Sequence, residues 1–137
     1  MYLEIFSIIF LFLFLMNSPL KLKGKGISRI INSRVIQSPL AGVTDHIFRR
    51  YVRRWAPNSL LFTEMVNASS LNLGYGLQKV NQLKNEDGPV GIQLFDNNLY
   101  SIREAALESE DSGAYIIDIN MGCPVKRLPR KEEEVLL

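Results

Sequence analysis

The sequence predicts an α/β fold built from parallel β/α units, and three observations carry that reading. Four runs rich in apolar β-formers recur, at residues 33–40, 59–66, 89–95 and 114–121. Helix starts, helix stops or helical apolar spacing fill the stretches between them. The runs repeat at intervals of roughly 25 to 30 residues, room for a strand and a crossover helix rather than a hairpin. Alternation of this kind implies parallel strands joined by right-handed crossovers, and doubly wound sheets and (β/α)8 barrels both begin this way.

Composition narrows the function classes. With 137 residues, 47% of them hydrophobic, and a net charge of +2, the chain suits one modest domain. That charge is too small to name a nucleic-acid partner. A single cysteine excludes an intramolecular disulfide framework and any multi-cysteine zinc site, and fits a reducing, cytoplasmic compartment. A single histidine, with no H-E-x-x-H, argues against a protein metal site. There is no Walker loop and no G-x-G-x-x-G.

Residues 5–16 form an uncharged apolar run, shorter than the roughly 20 residues a bilayer span requires. Glu4 stands where a signal peptide should be basic, and no small-x-small cleavage site follows. Lys21, Lys23, Lys25 and Arg29 come next, so either a membrane anchor with a cytosolic body or translated upstream sequence accounts for the run. The second account is preferred, and residues 1–29 are set apart as an extension and linker.

The first strand, residues 33–40, is stopped by Pro39. Thr44 or Asp45 can cap the helix that follows. Ile47, Phe48, Tyr51, Val52 and Trp55 fall on one face of that helix and are expected inward. Arg49, Arg50, Arg53 and Arg54 fall on the other, as a solvated face or as contacts for RNA phosphates. The second strand, residues 59–66, carries Glu64 near its far end, either lining a pocket or paired with a neighbouring strand. Residues 67–83 read as loop and short helix, and residues 85–88 as a turn. In the third strand, residues 89–95, Gln93 is the polar exception. Leaving its amide unpaired would cost on the order of 1–3 kcal/mol, so it needs a backbone partner or a ligand's ring edge. Asp96 or Asn97 then caps a helix running to about Asp111, with Leu99, Ile102, Ala105 and Ala106 inward and Gly113 as the residue that ends it.

The fourth run, from Ala114, reads as a strand buried on both faces and breaks into Gly122-Cys123-Pro124. A lone thiol just past the carboxyl end of a parallel strand sits where α/β enzymes place their chemistry. The alternative is a buried, inert cysteine.

Four segments together resemble the tRNA-dihydrouridine synthases, flavin enzymes that reduce uridine in tRNA. They are Ser38-Pro39-Leu40-Ala41-Gly42-Val43-Thr44-Asp45 with Phe48-Arg49-Arg50, then Thr63-Glu64-Met65-Val66, then Gln93-Leu94-Phe95, and finally Asp118-Ile119-Asn120-Met121-Gly122-Cys123-Pro124. The first of these is similar to the cyanobacterial branch. The likeness covers roughly residues 30–128, the first half of the family's catalytic domain. It implies the first half of a TIM (β/α)8 barrel, with FMN at the carboxyl ends of the strands, NADPH as reductant and tRNA as substrate for a monomeric enzyme. Pro39, Leu40 and Ala41 would lie against the flavin, Gln93 would bond the isoalloxazine edge, and Asn120 would sit near flavin and base. Cys123 would be the general acid that protonates C5 after hydride reaches C6 of a flipped-out uracil. The close alternatives are a non-catalytic fragment that at most binds RNA or a membrane, and another FMN barrel acting on a free pyrimidine. Thr44-Asp45 followed by Phe48-Arg49-Arg50 favours the tRNA enzyme over the last.

After Lys126-Arg127-Leu128 the likeness ends, and residues 129–137 read as an aberrant tail. Glu132 to Leu136 is what a Gly-Gly-Gly-Ser-Ala segment becomes when read one base out of phase, by a genomic frameshift or by a sequence error. This hypothesis is tested by resequencing; an in-frame gene continuing past codon 128 rules out the genomic version. Four strands cannot close a barrel, and the family's lysine, histidine and glycine-rich phosphate-binding segments belong to its second half. The expectation is a truncated, inactive chain, marginal in stability, that binds FMN weakly or not at all.

Overall fold

The computed structural model describes residues 19–24 and 27–122. Within them lie strands β1 (Leu20–Gly24), β2 (Ile27–Ile31), β3 (Leu61–Asn67), β4 (Val90–Phe95) and β5 (Ile116–Ile119). The helices are α1 (His46–Trp55), α2 (Ala68–Asn72), α3 (Leu77–Asn81) and α4 (Leu99–Asp111), with a 3-10 turn over Gln82–Asn85. β3, β4 and β5 form a parallel sheet in that order, and β1 and β2 form a separate antiparallel pair.

The parallel sheet agrees with the alternation read from the sequence. The strand expected over residues 33–40 is reduced to one parallel bridge, Ile36 to Leu60, with the Gln37 amide donating to the Leu60 carbonyl at 3.0 Å. Pro39 has no N–H to extend that ladder, and Val35 and Ile36 remain exposed. The bridge places this segment beside β3, so the spatial order from residue 36 through β5 follows the chain.

One face of the sheet is covered by helices. Leu61, Val66, Val90, Ile92 and Leu94 pack there with Ala68, Leu71, Val80, Leu83 and Ala105. The other face carries Phe62, Gly91 and Ile116 near its amino end. Against Leu60, Phe62 and Ile116 the β1–β2 hairpin lays Leu20, Leu22 and Ile31. The Tyr115 hydroxyl ties the hairpin down by donating to the Ile30 carbonyl at 2.7 Å, and the Arg29 guanidinium lies 5.0 Å from the Tyr115 ring centre. From sequence this hairpin falls in the linker, although Leu-Lys-Leu-Lys followed by Gly carries the period-two pattern of a strand ending in a turn.

Helix α1 packs Val52 against the core as expected but otherwise differs from expectation in its orientation. Arg49 is 2% and Arg53 9% exposed, whereas Ile47, Tyr51 and Trp55 face outward, Trp55 at 78%. The guanidiniums turn inward because carbonyls and a carboxylate await them. Arg49 pairs with Glu86 and donates to the Thr44 carbonyl at 2.8 Å. Arg53 donates to the carbonyls of Pro57, Ser59 and Pro89. Arg50 and Arg54 are exposed; Arg49 and Arg53 are withdrawn from any RNA phosphate.

Asp45 caps α1 as foreseen, accepting from the Phe48 amide at 2.8 Å. The cap of α4 is Asn98 rather than Asp96 or Asn97, which leaves Leu99 at the first helical position and exposed instead of inward. Ser101 and Ser109 take buried places on that helix. Gly113 ends it with φ 95°, as expected of that position. β5 is half-buried rather than closed on both faces, because among the described residues β4 is its one ladder partner.

Candidate active site

The β4–β5 register sets Gln93 beside Asp118. Gln93 Nε2 donates to Asp118 Oδ2 at 2.5 Å. Asn120, just past β5, is fixed by its own amide, which donates to the Leu94 carbonyl at 2.9 Å. Its side-chain Nδ2 donates to Gln93 Oε1 at 3.4 Å and lies 3.9 Å from Met65 Sδ. Its Oδ1 accepts from the Gly122 amide at 3.1 Å. The polar partner that Gln93 requires is therefore a side-chain carboxylate, not a backbone group.

Met65 reaches this cluster through an irregularity in β3. Phe62 pairs with Gly91 and Met65 with Gln93, so β3 spends one residue more than β4 over the same span. Such a bulge keeps Phe62 and Met65 on one face although they are three positions apart. Without it, the alternation of a regular strand would turn Met65 toward the helices.

The segment containing Pro39, Leu40 and Ala41 lies at the same carboxyl edge. Buried Thr44 shapes it: the Leu40 amide donates to Thr44 Oγ1 at 3.1 Å, and the Val43 and Thr44 amides donate to the Leu40 carbonyl. Gly42, at φ 75°, supplies the left-handed residue of the turn. Its amide donates to Glu64 Oε1 at 2.6 Å, while Lys79 Nζ lies 2.9 Å from Glu64 Oε2. The Lys79 ammonium and the Gly42 amide together hold the Glu64 carboxyl below its usual value. Glu64 thus neither lines a pocket alone nor pairs across the sheet; it ties the first loop to α3. A second tie joins later loops. Burial pushes Asp96 up, but hydrogen bonds from Ser69 and from the Asn98 and Asn97 amides outweigh it, leaving the carboxyl below its usual value.

Of the residues singled out from sequence, Gln93 and Asn120 touch. Pro39 is half-buried, while Leu40 and Ala41 present exposed surface. Cys123 lies outside the described residues, one position past Gly122. Asp118, Met65 and Lys79 were not foreseen as neighbours of the site. Asp118 carried a signal, being the one charge inside an apolar strand; Lys79 carried none.

The sequence profile described as "Dihydrouridine synthase (Dus)" matches residues 36–133. The chain belongs to the dihydrouridine synthase family. It is 46% identical over 104 residues to "Probable tRNA-dihydrouridine synthase 1" of Synechocystis sp., a match covering 76% of this chain and 29% of that relative. It is 37% identical over 100 residues to "Probable tRNA-dihydrouridine synthase" of Rickettsia bellii, covering 72% of this chain and 30% of the relative. Against "tRNA-dihydrouridine synthase B" of Pseudomonas aeruginosa the identity is 35% over 100 residues, again 72% and 30%. The chain therefore spans less than a third of the length of these family members. No solved structure matches it significantly. Among the described residues, no helix is long and apolar enough to cross a membrane, and the run at residues 5–16 lies outside them.

Proposed function

We propose that these residues form the amino-terminal part of an FMN-dependent, cytoplasmic tRNA-dihydrouridine synthase, in which residue 36 through β5 make the first four staves of a (β/α)8 barrel. One observation carries this reading: the side-chain amides of Gln93 and Asn120 meet at the carboxyl edge of a parallel sheet, beside Asp118 and one residue short of the Gly-Cys-Pro loop. Their chemistry fits a flavin. A carboxamide offers an acceptor and a donor side by side, the complement of the N–H and C=O on the imide edge of an isoalloxazine. Leu40 and Ala41 add exposed apolar surface on the loop that Glu64 fastens to the next strand.

When bound and reduced by NADPH, FMN supplies a hydride to C6 of a uracil turned out of its stack. Gln93 would hold the ring edge, with Pro39, Leu40 and Ala41 as its apolar neighbours. Asn120 would orient flavin and base. A free thiol, with a reference pKa of about 8.5, is mostly protonated at neutral pH, and in this reading Cys123 would be the group that gives its proton to C5. A polypeptide of residues 1–137 alone closes no barrel, and we assign it weak FMN binding and no turnover.

The test is a graft of residues 36–124 into the Synechocystis relative, assayed on tRNA lacking dihydrouridine. The graft should form dihydrouridine. Cys123→Ala within it should lose about 100-fold or more in turnover while retaining FMN. Undiminished turnover removes Cys123 from its role, and a folded graft that takes up no flavin overturns the cofactor assignment.

A further inference from the structure

Helix α1 divides its four arginines between two sides. Arg49 and Arg53 form the inward ridge, Arg49 neutralised by Glu86 and Arg53 spending its Nη atoms on carbonyls. Arg50 and Arg54 are exposed and form no ion pair among the described residues. At 100° per residue, Ile47, Tyr51 and Trp55 form a second exposed ridge beside that pair, on the side opposite Arg49 and Arg53. Ile47, Arg50, Tyr51, Arg53, Arg54 and Asp87 line an open groove of about 560 Å³. Three guanidiniums stand there against one carboxylate, Asp87, because Glu86 is taken by Arg49.

We infer that the outer side of α1 is a contact surface for tRNA away from the reacting base: Arg50 and Arg54 hold phosphates, and Tyr51 and Trp55 offer ring faces to bases. This rests on the tRNA reading above and adds a surface remote from flavin and target uracil. The excess of cations calls for a polyanion, and the aromatic ridge beside them for one that carries unstacked bases. Placement supports it. Helix α1 starts at the carboxyl edge, just after the loop of Pro39 to Ala41, and runs away from that edge. At 1.5 Å per residue, Arg50 lies about 6 Å and Arg54 about 12 Å below His46. RNA with one base at the carboxyl edge therefore meets them down the outer wall. A further helix of a closed barrel would not take its place, since barrel helices stand side by side in one ring and cover each other's flanks. The ridge of Ile47, Tyr51 and Trp55 points away from the sheet instead. The helix dipole accounts for Arg54, in the last turn, but not for Arg50.

The full chain, with Trp55 as its sole tryptophan, is titrated with a tRNA transcript lacking dihydrouridine at several salt concentrations. The transcript should quench Trp55. Arg50→Gln combined with Arg54→Gln should weaken binding about 10-fold and flatten the dependence of log affinity on log salt by about 1.5, since each phosphate contact contributes about 0.7–0.9. Tyr51→Ala should weaken binding about 5-fold or more and leave that salt dependence unchanged. The same variants in the Synechocystis relative carrying residues 36–124 give a readout independent of the stability of the short chain. There the arginine pair should raise KM for tRNA about 10-fold and leave kcat within about 2-fold. Unchanged salt dependence and KM in the arginine variant, or a fall in kcat in their place, overturns the surface while the parent graft still forms dihydrouridine. So does a Trp55 emission that is blue-shifted and iodide-resistant before tRNA is added, which would mean that protein, from this chain or a second copy, covers the ridge. A folded parent graft that forms no dihydrouridine overturns the tRNA reading itself, and this inference with it.

Discussion

Gly91 shows how closely the sheet is fitted around one missing side chain. A Cβ placed there would stand 2.4 Å from Phe62 Cε1, and the ring has Leu60, Ile116 and the hairpin around it. Gly91→Ala should therefore cost about 1–3 kcal/mol by overpacking, read as a lower urea midpoint with unchanged slope. Glu64 makes a second residue-scale case. Its carboxyl is held low by Lys79 and the Gly42 amide, so it binds a proton less readily folded than unfolded. The stability it adds is complete above the ordinary value of 4.5 and is lost as pH falls through the lower, folded value. Urea midpoints between about pH 7 and pH 3 should drop less steeply for Glu64→Gln than for the parent; parallel curves would contradict the tie. Some of this was legible beforehand. Gln93 announced that it needed a partner, being an amide in an apolar strand, and Asp118 was the corresponding charge one strand on. What could not be read was that they meet, because that depends on register.

Helix α1 shows where pattern reading misleads. Apolar spacing selects Ile47, Phe48, Tyr51, Val52 and Trp55 as the inward face; Val52 does pack against the core, yet Ile47, Tyr51 and Trp55 are exposed and the buried residues are Arg49 and Arg53. Two of their acceptors, Glu86 and the Pro89 carbonyl, come from the loop before β4, too far along the chain for a helical pattern to reveal, and the Ser59 carbonyl lies past the end of the helix. Burial also lowers the Arg53 pKa, against the opposing influence of Glu86 and Asp87. The outward apolar row has an optical consequence. Trp55 is the sole tryptophan, so the isolated chain should fluoresce like an indole in water and be quenched readily by iodide. A blue-shifted, iodide-resistant emission would show that row covered. The strand-helix alternation, the Asp45 cap and the Gly113 stop were legible, since each depends on neighbouring residues.

On the scale of the molecule, the order of strands follows the order of the chain, and periodicity foretold the parallel sheet without choosing between an open sheet and a barrel. That choice belongs to closure, a property no single β/α unit contains. The hairpin escaped notice for a related reason: its purpose lies in covering Phe62 and Ile116, and neither stands near it in sequence. Its position also sets a timetable. β1 and β2 are joined by a two-residue connection, while each parallel pairing must first bring together segments with a helix between them. Hairpins form in about 1–10 μs, and distant pairings wait on loop closure. The floor should be laid before the walls, with the amides that bond across the β1–β2 ladder shielded from exchange earlier than those of Ile92 and Leu94 in a pulse-labelled refolding series. The reverse sequence of protection would mean that the staves assemble first and the floor is fitted afterwards.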